Sequence, residues 1–189
     1  MFGKQGVYLV SMALFTGKGD GGKTRAFDCN QFWMSKSSER PEALGAVDEL
    51  NAVLGLTRVR AMGNERVTDA LREAQETLFL IQAEIAGADK TVKAGSVAAV
   101  EKIVNDIEKE IPPITGFSIP GGTELSALLD VARTVTRRAE RRVIAALEAG
   151  ACVVSDETRA YLNRLSSLLF ALARLANHGA GIADEHPRY

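Results

Sequence analysis

Between positions 133 and 142 the sequence holds five arginines, Arg133, Arg137, Arg138, Arg141 and Arg142, and one acid, Glu140. A guanidinium presents a planar fork of donors that matches phosphate or carboxylate oxygens, so the cluster is suited to holding a polyanion. At about 100° per residue a helix here gathers Leu128, Ala132, Val135, Ala139, Val143 and Ala146 on one side. Arg133, Arg137 and Arg141 then fall nearly opposite, while Arg138 and Arg142 flank the apolar face. A solvated face usually alternates bases with acids at i,i+4, because like charges at that spacing repel. This stripe is under-neutralised and requires an anion or a carboxylate from another element. Since it points away from the core, a site on it lies at a subunit interface or under a folded-over loop.

A second anion-binding candidate lies near the N-terminus. Gly17-x-x-x-x-Gly22-Lys23-Thr24 satisfies the Walker A pattern and follows an apolar run over 7–15. A true P-loop needs a strand before it and a helix directly after it, whose amides hold the phosphates. Residues 25–33 have no amphipathic period, and the remaining chain supplies neither a parallel sheet nor a Walker B aspartate. The pattern is therefore read as a false match. Successive glycine amides still form an anion nest without that fold. Lys18, Lys23, Arg25 and Lys36 add charge, and Asp20 or Thr24 orders the loop or helps hold Mg2+. The competing reading of this loop alone is a flexible turn with solvated lysines.

The elements that position these groups read as helices. The run 7–15 is a short strand or an extended arm, and 25–36 is loop. Ser38 before Pro41 and Glu42 starts a first helix reaching about Ala61, with Leu44, Val47, Leu50 and Leu54 at helical spacing. A second runs over 65–88, and a third is capped by Ser96 and ended by Pro112-Pro113. After a linker over 114–122, Thr123 caps a fourth helix to Leu147, and Asp156 opens a fifth ending near Asn177. Five helices with short connections predict an all-α, up-and-down antiparallel bundle in a single domain. Its parts are an arm and glycine-rich loop over 1–37, the bundle over 38–177, and a loose tail over 178–189. On the fifth helix Asn163, Ser167 and Arg174 share a face beside the core leucines. On the first, Asp48 is a candidate partner for the surplus arginines.

Composition narrows the function classes. Lys and Arg total 23 against 24 Asp and Glu, a formal net charge of -1, which argues against non-specific nucleic-acid binding. Two cysteines, Cys29 and Cys152, fit a reducing, cytoplasmic compartment, and no Cys/His spacing suggests a protein-held metal. The apolar run over 7–15 is not read as a signal peptide, and nothing approaches the roughly 20 apolar residues of a membrane span.

Four segments together make the chain recognisable: Thr16-Gly-Lys-Gly-Asp20 with Thr24; Ser35-Lys36 followed by Gly45-Ala-Val-Asp-Glu-Leu-Asn51; Pro120-Gly-Gly-Thr-Glu124; and Ala132-Arg-Thr-Val-Thr-Arg-Arg-Ala-Glu-Arg-Arg142 with Tyr161-Leu-Asn-Arg-Leu-Ser166. In this order and spacing the sequence resembles the ATP:cob(I)alamin adenosyltransferases of the propanediol-utilisation class over 16–177. The resemblance implies a ferritin-like five-helix bundle, assembled as a homotrimer with ATP and cobalamin bound between subunits. It implies ATP contacts from Thr16, Gly17, Lys18, Gly19, Asp20, Thr24, Arg25 and Lys36, and from Arg137, Arg138, Glu140, Arg141 and Asn163. Mg2+ would enter with ATP. Asp48 and Arg133 match a pair that bridges subunits, and Phe117 matches an aromatic residue crowding the lower face of the corrin. Arg137 and Phe117 would carry the catalysis. A corrinoid reductase and an adenosylcobalamin-dependent enzyme are the implied transient partners; nucleic acid and membrane are not. The sequence departs from the pattern at Lys23, which creates the Walker match, and at 25–33, which replaces a short glycine-containing stretch.

Three other readings remain on the residues alone. A P-loop NTPase would hydrolyse ATP to ADP without corrinoid. A corrinoid carrier would bind adenosylcobalamin without making it, and a helical interaction module would bind no ATP.

Overall fold

The computed structural model describes residues 14–25 and 32–189. Most of the apolar run over 7–15 lies outside the described residues, as does Cys29. Five helices follow a short hairpin: α1 (Glu39–Arg60), α2 (Glu65–Ile85), α3 (Ala94–Glu110), α4 (Glu124–Glu148) and α5 (Asp156–Gly179). The hairpin pairs β1 (Lys23–Arg25) antiparallel with β2 (Trp33–Ser35), matching Thr24 to Met34 and Arg25 to Trp33. Sequence reading made this segment a loop; strands this short carry too few residues for alternation to show.

Helix boundaries follow local chemistry. Thr123 caps α4 by accepting from the Ser126 amide, and Ser155 caps α5 by accepting from the Thr158 amide. Asn64 does the same for α2 through the Val67 amide. Ser96 is not the cap of α3: that helix starts earlier, after Lys93, with no side-chain cap. Glu84 reaches from α2 to the start of α5, accepting from the Ser155 amide at 2.7 Å and from the Thr158 hydroxyl. A carboxylate there also complements the positive end of the helix dipole.

α4 lies between α1 and α5, α2 packs on the other flank of α1, and α3 packs on α5. The residues that weld them are those of the apolar stripes: Val47, Leu50 and Leu54; Leu71, Leu78 and Ile81; Leu129, Ala132, Ala139 and Val143; Leu162, Leu165, Leu169 and Leu172. On α4 the buried leucine is Leu129; Leu128 is only half-buried. The small residues Ala132 and Ala139, both fully buried, let α4 sit close to both neighbours. Among the described residues no helix is long and apolar enough to cross a membrane.

The tail expected to be loose is not. α5 continues to Gly179, and the segment after it hydrogen-bonds back to the linker between α3 and α4.

Cys152 lies in the α4–α5 connection, 4% exposed. Burial pushes its thiol pKa up and Glu84 adds to that, while Arg40 pulls it down. Only the thiolate is a good nucleophile. Cys152 should therefore stay unmodified by iodoacetamide at pH 8 in the native protein and react once urea unfolds it. Peptide mass spectrometry reads this directly; rapid native labelling would refute the assigned burial.

Candidate active site

The arginine stripe is divided by its neighbours. Arg133 Nε bonds Asp130 Oδ1 at 2.9 Å, and its guanidinium lies 5.8 Å from the Phe170 ring centroid. Arg138 turns toward α1 and meets Glu49 at 2.6 Å, and Arg142 approaches Glu42 on the same helix at 3.9 Å. Arg137 and Arg141 are exposed, and among the described residues neither has a carboxylate partner. These two are the cations left free for an external anion.

Arg137 does not stand alone. With Arg133 it lines a cavity of about 590 Å³, walled by Ser166, Ser167 and Phe170 of α5 and by Phe117 and its neighbours in the linker. The two groups with the largest assigned roles, Arg137 and Phe117, thus share one opening between α4 and α5. Phe117 is 79% exposed. A large apolar ring held that far out, lining one cavity with a guanidinium that has no carboxylate partner among the described residues, is suited in shape and charge to a bulky ligand with an anionic part.

Glu140 and Asn163 come together across the same pair of helices: Asn163 Nδ2 donates to Glu140 Oε1 at 3.1 Å. Arg164 donates to Asn163 Oδ1 at 2.6 Å and is itself held by Glu101 of α3. Asn163 is thereby oriented, with both ends of its amide engaged.

The glycine-rich loop forms a second cluster. Gly17 and Gly22 have φ of 67° and 74°, the left-handed region that glycine enters without strain. Turns close from the Asp20 amide to the Gly17 carbonyl and from the Gly22 amide to the Gly19 carbonyl. The Lys18 amide donates to Thr16 Oγ1 at 3.4 Å. Lys36 folds back over the loop, so that a Cβ placed on Gly19 would lie 3.0 Å from its Nζ. Arg25 stacks on Trp33, 4.5 Å from the ring centroid. Thr24, Arg25 and Lys36 line one cavity with Pro41 and Leu44 at the start of α1. Strand β1 begins at Lys23, so the chain enters a hairpin where a P-loop would enter a helix. The Walker match fails on this point.

The two clusters lie on different sides of α4. The cavity of Arg137 and Phe117 opens between α4 and α5. The loop sits at the N-terminal end of α1, where Pro41 also borders the groove holding Arg138 and Arg142. The structure likewise keeps Asp48 and Arg133 apart within the chain: Asp48 accepts from Gln82 of α2 at 3.3 Å, and Arg133 is engaged by Asp130. Among the described residues no group of three His, Cys, Asp or Glu side chains is placed to hold a metal ion.

Sequence reasoning missed Phe170, Ser166, Glu49 and Glu42. Phe170 follows Asn163 and Ser167 at helical spacing, so the face it shares was legible; its role as a cavity wall depends on the linker that folds over it.

Comparison with known proteins identifies the family. Residues 14–176 match the cobalamin adenosyltransferase family. A corrinoid adenosyltransferase of Bacillus subtilis (strain 168) is 36% identical over 180 residues, covering 92% of this chain and 91% of the relative. A cobalamin adenosyltransferase of Cupriavidus metallidurans is 39% identical over 171 residues, covering 89% of this chain and 90% of the relative. Among solved structures, a phenylalanine-to-histidine variant of the PduO-type ATP:corrinoid adenosyltransferase from Lactobacillus reuteri, complexed with cobalamin and ATP, superposes with a TM-score of 0.83. It is 30% identical, covering 93% of this chain and 97% of that one. The chain belongs to the cobalamin adenosyltransferase family.

Proposed function

We propose that the protein transfers the 5'-deoxyadenosyl group of ATP to cob(I)alamin, giving adenosylcobalamin and triphosphate. The observation that carries this reading is the single cavity in which the exposed Phe117 ring and the unpaired Arg137 guanidinium meet. It fits a ligand with a broad apolar face next to one with a polyphosphate.

The chemistry asks for no nucleophile from the chain. The cobalt of cob(I)alamin supplies the electron pair, attacks the 5' carbon of ATP and forms the cobalt–carbon bond. The carbon–oxygen bond to triphosphate breaks, and that oxygen carries the electron pair away. The protein then has three tasks: hold the reactants in line, stabilise charge on the leaving triphosphate, and keep a lower axial ligand off cobalt. Arg137 and Arg141 serve the second, and Phe117 the third. Asn163 and Glu140 position the nucleotide. The loop residues Thr16, Gly17, Lys18, Gly19, Asp20, Thr24, Arg25 and Lys36 wrap the phosphates, and Arg138 joins them on release from Glu49. An exposed ion pair of that kind is worth at most about 1 kcal/mol, so a triphosphate displaces the carboxylate readily. Mg2+ arrives on ATP.

Because the loop and the Phe117 cavity lie on different sides of α4, the reading places each site between two subunits of a homotrimer. The Asp48–Arg133 pair then forms across the interface. The enzyme works in the cytoplasm, receiving reduced corrinoid from a reductase and passing product to an adenosylcobalamin-dependent enzyme.

An anaerobic assay with reduced cobalamin and Mg-ATP tests the reaction. The expected result is the absorbance of an alkylated corrin together with inorganic triphosphate, both lost when Mg2+ is chelated. ADP and phosphate formed without corrinoid, or adenosylcobalamin binding without its synthesis, would overturn the proposal.

A further inference from the structure

The linker that carries Phe117 has almost no support of its own. Pro112 and Pro113 lack amide donors, and residues 112–119 belong to no helix or strand. Among the described residues, all the hydrogen bonds made by the backbone of 112–119 go to one place. Arg174 Nη2 donates to the Pro112 carbonyl at 2.8 Å, the Ile119 amide donates to the Glu185 carbonyl at 2.8 Å, and His186 Nδ1 lies 2.8 Å from the Phe117 carbonyl. A carbonyl oxygen only accepts, so His186 Nδ1 carries the proton, whether the ring is neutral or charged.

The tail is itself anchored. Arg174 is 8% exposed, and its Nε and Nη2 donate to Asp184 Oδ2 at 3.0 and 2.9 Å. One buried guanidinium therefore grips both the start of the linker and the segment that holds its far end. Arg174 is the buried partner of this pair, so removing Asp184 would leave its guanidinium charge short of a counter-charge.

We propose that the segment 180–189 is a positioning element for Phe117, with Arg174 and Asp184 as its anchor and His186 as the group that fixes the Phe117 backbone. Among the described residues no other hydrogen bond fixes the backbone that carries this ring, which projects 79% exposed from its linker. The proposal rests on the role assigned to Phe117 above, and it makes Asp184 and His186 positioning residues rather than catalytic ones.

The test uses the full chain and the variants His186→Ala, His186→Asn, Asp184→Asn and Phe117→Ala. Amide hydrogen exchange reads whether the tail holds the linker. His186→Ala and Asp184→Asn should speed exchange at the Ile119 amide, the one linker amide that is hydrogen-bonded among the described residues, by about tenfold while the core of α4 and α5 stays protected. Steady-state kinetics and the visible spectrum of bound cob(II)alamin read whether that matters. Losing one such hydrogen bond should lower kcat by about tenfold, leave KM for ATP unchanged, and shift the corrinoid from four- toward five-coordinate, the same direction expected for Phe117→Ala. His186→Asn keeps a donor near the Nδ1 position and should restore most of the rate. In the Phe117→Ala background, His186→Ala should cost little more, since the ring it positions is gone. Unchanged exchange would overturn the proposal, and so would faster exchange with normal turnover. If Phe117→Ala itself left turnover and spectrum intact, the role of Phe117 would fall, while the exchange result would still decide whether the tail holds the linker.

Discussion

Arg137→Ala is expected to lower the rate of adenosyl transfer by about 10²–10³-fold, on the order of 3 kcal/mol of transition-state stabilisation, by comparison with removing one preorganised donor from a developing anion. The side chain lies at the mouth of the Phe117 cavity and has no carboxylate partner among the described residues. Its charge is thus already in place and uncompensated when negative charge builds on the leaving triphosphate. The same exposure means that its loss costs the fold little, so Tm should shift by only a degree or two. Arg137→Lys keeps the charge but not the planar fork and should recover only part of the rate. Single-turnover kinetics with saturating Mg-ATP separates the chemical step from binding. Unchanged turnover in a folded Arg137→Ala protein would remove the arginine from the site.

The largest stability effect is expected at Gly122. This residue has φ of +99°, and a Cβ there would lie 2.6 Å from Asn177 Nδ2 and 2.7 Å from Asn177 Cγ. Asn177 is committed: it accepts from the Thr123 amide at 3.0 Å and donates to the Gly121 carbonyl at 2.8 Å. Gly122→Ala must therefore strain the backbone and push Asn177 off partners that tie the start of α4 to the end of α5. Strain of 1–3 kcal/mol plus a broken polar network gives roughly 3 kcal/mol of destabilisation, read as a lower midpoint in urea. Asn177→Ala should lose less, because it removes the bonds without the strain.

These two positions differ in how far the sequence discloses them. The arginine stripe could be placed on an outward helical face from spacing alone, and the structure keeps it on α4. Which arginine stays free could not, because Asp130, Glu49 and Glu42 neutralise three of them from positions that helical phase does not single out. Helices of 17 to 25 residues repeat their apolar period several times, so all five were legible to within a few residues. The hairpin of Lys23–Arg25 and Trp33–Ser35 repeats nothing and was read as loop. The tail failed for another reason. Asp184 and His186 look like solvated residues until Arg174, ten positions earlier on α5, is seen reaching both the tail and the linker. Motif resemblance supplied the roles of Phe117 and Asn163, neither of which residue chemistry alone would have selected.

The proposed function puts the glycine-loop half and the Arg137 half of one site on different subunits of a homotrimer. Lys36→Ala and Arg137→Ala each disable one half, so each homotrimer should be nearly inactive. When the two chains are coexpressed and mix at random, about a quarter of the interfaces unite an intact loop with an intact Arg137. Every mixed trimer holds one such interface of its three, so assemblies shown by native mass spectrometry to be mixed should recover about a third of wild-type adenosyl transfer. Activity no greater than that of the two parent variants, in assemblies proven to be mixed, would contradict a site shared between subunits.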